Sequence, residues 1–276
     1  MQSGPELAIP QRKASGSRAC EGQGASIRSK SGGAFKTGKV LTWSIVARDA
    51  RTGAFGVAVS TKFFAVGALC PHAMSGVGAL STQALVNPMY GPRGMKLLAE
   101  GVAAPDVVKR LTEADAGSII RQLHAVDAKG RVSAHTGTGC IDWCGHKLGD
   151  GFSVAGNMLA GPQVVERTAE TFAARADLPF AERLVTALEA GEAAGGDKRG
   201  KQSAALKIFT TEDYPDYDLR VDDNPEPLKE LKRLLAVFRA DYEMFREVLP
   251  TRANPTGIYD RAKIEEVRAR RGKGKA

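Results

Sequence analysis

At Thr42 the chain changes character, and that change limits what it can fold into. Residues 1–41 are rich in Gly, Ser, Lys and Arg and poor in large apolar side chains. Such a composition cannot bury enough surface to offset the entropy of ordering. From Thr42 the pattern takes a period of two, with Trp43, Ile45 and Ala47 alternating with Ser44, Val46 and Arg48. That alternation marks a strand with two differently packed faces. Residues 49–53 read as a turn and 55–60 as the returning strand of a hairpin.

Further along, 64–69 and 76–82 read as short apolar strands, and Pro88 to Pro92 as an irregular loop presenting Tyr90 and Arg93. Helical patterning covers 93–100 and 105–113, with Pro105 suited to a first turn. Residues 122–127 and 132–136 form another hairpin around Lys129-Gly130, and 152–155 reads as a strand. Helices follow from Gly161-Pro162 to about 175 and over 179–190, then strands over 203–210 and 217–221. Residues 228–249 read as one long helix. Leu228, Leu231, Leu234, Leu235, Phe238, Tyr242, Phe245 and Leu249 recur at helical spacing. That stripe is wide enough to pack on the domain or on a second subunit, and a homodimer is expected. Strands hairpin with one another and helices come in pairs between them, which predicts an α+β protein with antiparallel sheet. The expected organisation is an unfolded extension over 1–41, a domain over 42–223, a helical extension over 224–260 and a basic tail over 261–276.

The net charge of +8 suggests nucleic acid until it is located. Residues 1–41 hold seven basic residues against two acidic ones, and residues 261–276 again seven against two. The basicity therefore lies in the tails and the body between them is slightly acidic, which argues against a nucleic-acid partner. No apolar run approaches the roughly 18–20 residues of a membrane span, so no membrane partner is expected. Cys20, Cys70, Cys140 and Cys144 are scattered, which suits a reducing cytoplasm better than a disulfide framework. Residues 1–41 lack the apolar core of a secretory signal. They partly fit an organellar transit peptide. The plainer reading is upstream sequence translated from a misassigned start.

A threonine opening a first strand has a specific chemical use. A free α-amine, pKa about 7.7–8.0, takes the proton of its own hydroxyl and makes the oxygen a nucleophile. In a peptide bond that base is lost. Two routes would free Thr42. Leu41 is what a TTG codon encodes, and TTG read as a start gives Met-Thr42, with methionine trimmed before the small threonine. The other route is self-cleavage of the Leu41–Thr42 bond by Thr42 Oγ. Separately, Cys140-Ile141-Asp142-Trp143-Cys144-Gly145-His146, with His135 or His72, has the spacing of half a zinc site but lacks a clear second ligand pair. No metal and no cofactor are expected.

Several runs carry a resemblance. They are Thr42-Trp43-Ser44-Ile45-Val46-Ala47-Arg48-Asp49, Gly56-Val57-Ala58-Val59-Ser60 and Ser81-Thr82-Gln83-Ala84. Two more are Ser153-Val154-Ala155-Gly156-Asn157-Met158-Leu159 and Gly195-Gly196-Asp197-Lys198-Arg199-Gly200-Lys201-Gln202-Ser203-Ala204. Over about residues 42–223 the chain resembles the domain of unknown function 1028 family. The resemblance implies the fold of the N-terminal nucleophile hydrolases, a four-layer αββα sandwich of two antiparallel sheets between helical layers. In that superfamily the first residue of the mature chain attacks an amide. Thr42 is then the candidate nucleophile for a small amide, peptide or ureido substrate. Gln83 and Asn157 are candidate oxyanion donors or, equally, buried turn architecture. Asp197 and Arg199 either pair with each other or clamp a substrate carboxylate or ureido group. Lys62 either tunes Thr42 or is a solvated turn residue, and Ser81 and Asp142 are further candidates for lining the pocket. The alternative to an enzyme is a catalytically silent member of the same fold that binds a small metabolite or a partner protein.

Overall fold

The alternation that begins at Thr42 sends Trp43, Ile45 and Ala47 to one face of a strand and Thr42, Ser44 and Val46 to the other, and both faces are buried. A strand buried on both faces needs a layer on each side. The computed structural model describes residues 42–272, all within one compact unit. The expectations for residues 1–41 and for the last four residues of the basic tail lie outside the described residues.

In chain order the strands are β1 (Thr42–Arg48), β2 (Phe55–Thr61), β3 (Pro71–Met74), β4 (Gly78–Ala84), β5 (Arg121–Asp127), β6 (Val132–Thr136), β7 (Trp143–Gly149), β8 (Phe152–Leu159), β9 (Ser203–Phe209) and β10 (Tyr217–Val221). The helices are α1 (Tyr90–Ala99), α2 (Ala104–Glu113), α3 (Pro162–Ala174), α4 (Phe180–Ala193), α5 (Pro227–Val237) and α6 (Arg261–Gly272). One sheet has the order β10-β9-β2-β1-β8-β7 and the other β3-β4-β5-β6, with every pairing antiparallel. The sheets face each other. Helices α3, α4 and α5 cover the outer face of the larger sheet, where Trp43, Ile45 and Leu206 meet Leu184, Leu188 and Leu231. Helices α1 and α2 cover the smaller one, where Leu80 and Leu123 meet Val107 and Leu111. The fold is therefore α+β, with the four layers in the order α, β, β, α. No helix among the described residues is long and apolar enough to cross a membrane.

Five segments differ from the sequence reading. The run 64–69 is not a strand. Ala65 is left-handed (φ 52°), Val66–Ala68 is a single 3₁₀ turn, and Ser203 Oγ accepts the Val66 N–H at 3.1 Å. Strands β3 and β7 were not expected. Each lies at a sheet edge, and β7 has no fully buried residue, so neither shows a two-residue period. The expected loop over 88–92 ends early, since α1 begins at Tyr90. The long helix over 228–249 is three pieces: α5, a π-helical turn over Phe238–Tyr242 and a 3₁₀ turn over Glu243–Glu247. Ring contacts replace regular spacing there, with Tyr217 to Phe238 at 4.6 Å and Phe238 to Tyr242 at 4.8 Å between centroids.

The first part of the apolar stripe is covered by the chain itself. Leu228, Leu231 and Leu235 are buried on the outer core of the larger sheet, and Leu234 and Phe238 pack against it. Removing the Leu231 side chain deletes contacts at a site with no room to collapse. Leu231→Ala is expected to lower stability by about 2–5 kcal/mol in urea denaturation. A loss below about 0.5 kcal/mol would mean that α5 does not dock on the sheet.

Candidate functional site

The register of the larger sheet brings Thr42 opposite both Thr61 on β2 and Asn157 on β8. Thr42 is fully buried, and its Oγ1 donates to Thr61 Oγ1 at 3.2 Å. Its carbonyl accepts from Gln83 Nε2 at 3.4 Å and from Asn157 Nδ2 at 3.3 Å. One residue organises both amides. Gln122 Oε1 accepts from Gln83 Nε2 at 3.0 Å and from Asn157 Nδ2 at 2.8 Å. The Gln122 amide nitrogen in turn donates to Gly156 O at 2.8 Å and Thr136 Oγ1 at 3.0 Å. Each primary amide has two N–H hydrogens. Gln83 and Asn157 each place one on the Thr42 carbonyl and one on Gln122. The two side chains offered above to an oxyanion thus hold Thr42's own backbone.

Next to this clamp sits a histidine. Ser44 Oγ donates to Gln83 Oε1 at 2.6 Å and lies 2.8 Å from His124 Nε2. A hydroxyl has one hydrogen, so the contact with His124 is an Nε2–H donating to Ser44. His124 Nδ1 then accepts from Ser153 Oγ at 3.1 Å. Ser81 Oγ completes the group, 3.2 Å from Ser44 Oγ. Burial pushes the His124 pKa from 6.5 down to about 3, and neighbouring His146 pushes in the same direction. The imidazole is neutral and gives its proton to Ser44. It is the reverse of a base that activates a serine, so Ser44 and His124 are scaffold.

Asp197 ties the glycine-rich loop to the same end. Its buried carboxylate accepts the Lys62 N–H at 2.8 Å, the Arg199 N–H at 2.8 Å and Arg199 Nη2 at 3.1 Å, and its backbone forms an isolated β-bridge with Leu159. Asp197 and Arg199 therefore pair with each other. The Lys62 side chain reaches the Lys201 carbonyl at 3.1 Å and is exposed. Asp142 is exposed in a left-handed conformation just before β7. The side chains of the cysteine segment and its neighbouring histidines hydrogen-bond to backbone carbonyls and to one hydroxyl. Cys144 Sγ donates to Cys140 O at 3.6 Å, His146 Nδ1 pairs with Thr136 Oγ1 at 2.9 Å, and His135 Nε2 with Ser118 O at 3.0 Å. Among the described residues no three His, Cys, Asp or Glu side chains group as metal ligands.

Backbone strain converges on this end as well. Among the described residues, the non-glycine positions with positive φ are Ala65, Ala84, Asp142 and Met158. They follow β2, end β4, precede β7 and nearly end β8, all at the end where β1 begins. Strain of this kind costs about 1–3 kcal/mol per residue and gathers at functional sites. Phe63, Phe64, Leu69, Leu85, Ile119 and Ile120 are exposed around the same strand ends.

Ser44, Thr61, Gln122 and His124 were not singled out in the sequence. Their signal was present, because Gln122 and His124 alternate with the buried Leu123 and Ala125 on a strand that is buried on both faces. A polar period inside such a strand requires partners.

The chain belongs to the family of unknown function DUF1028, whose family model matches residues 42–231. The structure of protein SPO2555 from Silicibacter pomeroyi, of the same family, superposes with a TM-score of 0.75 at 32% identity, covering 80% of this chain and 96% of that one. Anbu, the ancestral beta-subunit from Yersinia bercovieri, gives a TM-score of 0.33 at 11% identity, covering 71% of this chain and 96% of that one. No curated protein matches the chain. The resemblance noted in the sequence is thus a family membership, and it extends into α5.

The neutral His124 has a measurable consequence. Its folded pKa of about 3 lies below the unfolded 6.5. Above pH 6.5 both states are neutral and its contribution to stability is complete. Between pH 6.5 and about 3 the unfolded chain takes a proton that the folded state refuses, so stability falls by up to about 1.4 kcal/mol per pH unit. His72 and His146, also held low by burial, act in the same direction. His124→Gln is therefore expected to show a shallower loss of stability across this range than the parent. Equal slopes would mean that His124 is not held neutral.

Proposed function

We propose that the protein is an N-terminal-nucleophile amidohydrolase of the cytoplasm. Thr42, freed as the first residue, attacks the carbonyl of a small amide, peptide or ureido compound, and no cofactor takes part. The observation that carries this reading is the clamp on Thr42. Two strands of one sheet and two of the other, through Thr61, Asn157, Gln83 and Gln122, fix a residue that opens a central strand. Positioning of that kind suits a nucleophile whose own amine must lie beside its own hydroxyl.

The steps balance on one residue. The α-amine takes the Thr42 Oγ1 proton as the oxygen bonds to the substrate carbonyl carbon. The tetrahedral intermediate collapses, the C–N bond breaks, and the ammonium returns its proton to the departing nitrogen. An ester remains on Thr42 Oγ1. The same amine then deprotonates a water, which releases the acid and restores the hydroxyl. Gln83 and Asn157 serve as positioning groups through the Thr42 carbonyl, so the oxyanion is left to backbone N–H groups. Ser81 acts at one further remove, through Ser44. Asp197 shapes the loop that presents Arg199, and Arg199, Lys62 and Asp142 are the polar groups at this end that can meet a substrate.

A second reading has its own support. Thr42 is fully buried with its hydroxyl engaged by Thr61, which suits a catalytically silent protein that binds a metabolite or partner at the same end. One experiment separates the two. Residues 42–276 are expressed behind a single methionine, the mature N-terminus is read by intact mass, and the protein is treated with a β-lactone. The enzyme reading expects methionine removal and one acylation at Thr42, rising with pH through the amine range of about 7.7–8.0 and absent from Thr42→Ala. A free Thr42 amine with no acylation favours the silent protein. Equal acylation of a form that retains its methionine would remove the free-amine mechanism.

A further inference from the structure

The opposite end of the sandwich holds a cavity that none of this chemistry uses. Its volume is about 420 Å³, within the range of small-molecule sites. It lies between the β1–β2 turn, the start of α4 and the ends of β9 and β10. Strand β1 separates it from Thr42 by roughly 20 Å at the rise of an extended chain.

Its walls combine two chemistries. Phe180, Ile208 and the Tyr217 ring make an apolar floor, and two guanidinium groups border it, that of Arg239 and that of Arg51, whose Nη2 also donates to the Leu178 carbonyl at 3.0 Å. Asp49 also lines the cavity, but its carboxylate is turned into its own loop. It accepts the Arg51 N–H at 3.2 Å and Thr52 Oγ1 at 3.0 Å, with Arg51 Nε more distant at 3.5 Å. Arg239 pairs with Glu182 through Nη2 at 2.5 Å and hydrogen-bonds the Tyr217 side chain, while its Nε is buried with no hydrogen-bond partner. An orphaned buried donor on a cation is costly and calls for an acceptor. Helix α4 begins at the same wall. Its N-cap is Pro179, which supplies no capping oxygen, so no side chain caps the first turn.

We propose that this cavity binds a small carboxylic acid with an apolar body. The carboxylate lies against Arg239 and Arg51 near the start of α4, and the body rests on Phe180, Ile208 and Tyr217. Arginine suits a planar carboxylate because its donors form a matching fork. The apolar floor selects an aromatic or branched acid over a bare anion such as acetate. Because the site lies at the other end of the sheet, it stands whether or not Thr42 is a nucleophile.

Phenylacetate is the probe, titrated into the full chain by calorimetry, with 2-phenylethanol as its uncharged counterpart and acetate as its bare anion. Phenylacetate is expected to bind saturably and at least about tenfold more tightly than either control, the scale of one charge-assisted hydrogen bond. Arg239→Gln is expected to weaken it about tenfold. Arg51→Gln removes a part-exposed side chain whose own contacts are the Leu178 carbonyl and Asp49, so this variant stays folded, weakens binding and reports even if loss of the Glu182 pair unfolds the first variant. Thr42→Ala leaves the affinity unchanged. The proposal is overturned if phenylacetate does not bind or binds no better than 2-phenylethanol. It is also overturned if phenylacetate binds equally to Arg51→Gln and folded Arg239→Gln, or loses affinity in Thr42→Ala.

Discussion

Gln122 is the residue on which the two sheets depend. It sits on β5 of the smaller sheet, and its amide grips β8 of the larger one through Gly156 O and Asn157 Nδ2. Through Gln83 it also reaches the first residue of β1. Sheets in a sandwich are ordinarily joined by apolar side chains. Here the interface is apolar in two clusters, Val46, Phe55, Val57, Ala79 and Val126 in one and Val59, Val66, Cys70 and Ala205 in the other. Between β1, β8, β4 and β5 it is a hydrogen-bonded seam. A buried polar seam stabilises only when nearly every member has a partner, because an unpaired amide in that environment costs about 1–3 kcal/mol. It therefore works as a specificity device. A one-residue slip of β5 would turn Gln122 and His124 toward the helices and bring Leu123 into the seam, and both layers would fail at once.

The same seam limits the chemistry available at its edge. A serine 2.8 Å from a histidine invites a catalytic pair. The proton count assigns His124 as donor to Ser44, and burial keeps the ring neutral far below neutral pH. Gln83 and Asn157 likewise have no N–H left over. What the arrangement offers at this end is a rigidly held Thr42 beside Thr61, a loop pinned by Asp197, and strained backbone around them. A site of this sort depends on precise placement, with little prebuilt electrostatic stabilisation from side chains.

How much of this was legible in the sequence follows from how each signal arises. The period-two strands with both faces buried announced themselves at β1, β2 and β5, and the antiparallel α+β class followed from hairpins and paired helices. The layering came from resemblance, since strand order is set by contacts far apart in the chain. Edge strands β3 and β7 were missed because an edge needs no alternation, and β7 is half exposed along its length. After Val237 the helical spacing of apolar residues does not reveal the π-turn, where the Phe238 and Tyr242 rings are in contact. At the site, Thr42, Gln83, Asn157 and Ser81 were found by motif and do converge. Arg199 pairs within its own loop, and Asp142 lies at the same end on an exposed turn. Gln122 and His124 carry no reactive motif, because the fold needs them for their hydrogen bonds and not for reaction.

The two ends of the sandwich thus carry different kinds of incompleteness. At the Thr42 end the side chains of the inter-sheet seam are paired, although Trp43 Nε1 and Ser60 Oγ on the outer face are not, and backbone strain gathers at Ala65, Ala84, Asp142 and Met158. At the far end the backbone turns on glycine at Gly53 and Gly151, where positive φ is unstrained. The discomfort there is an unpartnered arginine nitrogen and an uncapped helix. Backbone strain is relieved only by refolding the loop that holds it, so it persists whether or not a ligand is present and suits a site that must be preformed. An unpartnered donor is relieved by any suitable acceptor that arrives, so it suits a site completed by binding. The apolar cluster of the inter-sheet core from Val46 to Val126 lies between the two. It is close-packed and transmits little beyond rigidity, which lets one end hold a fixed geometry while the other stays open to exchange.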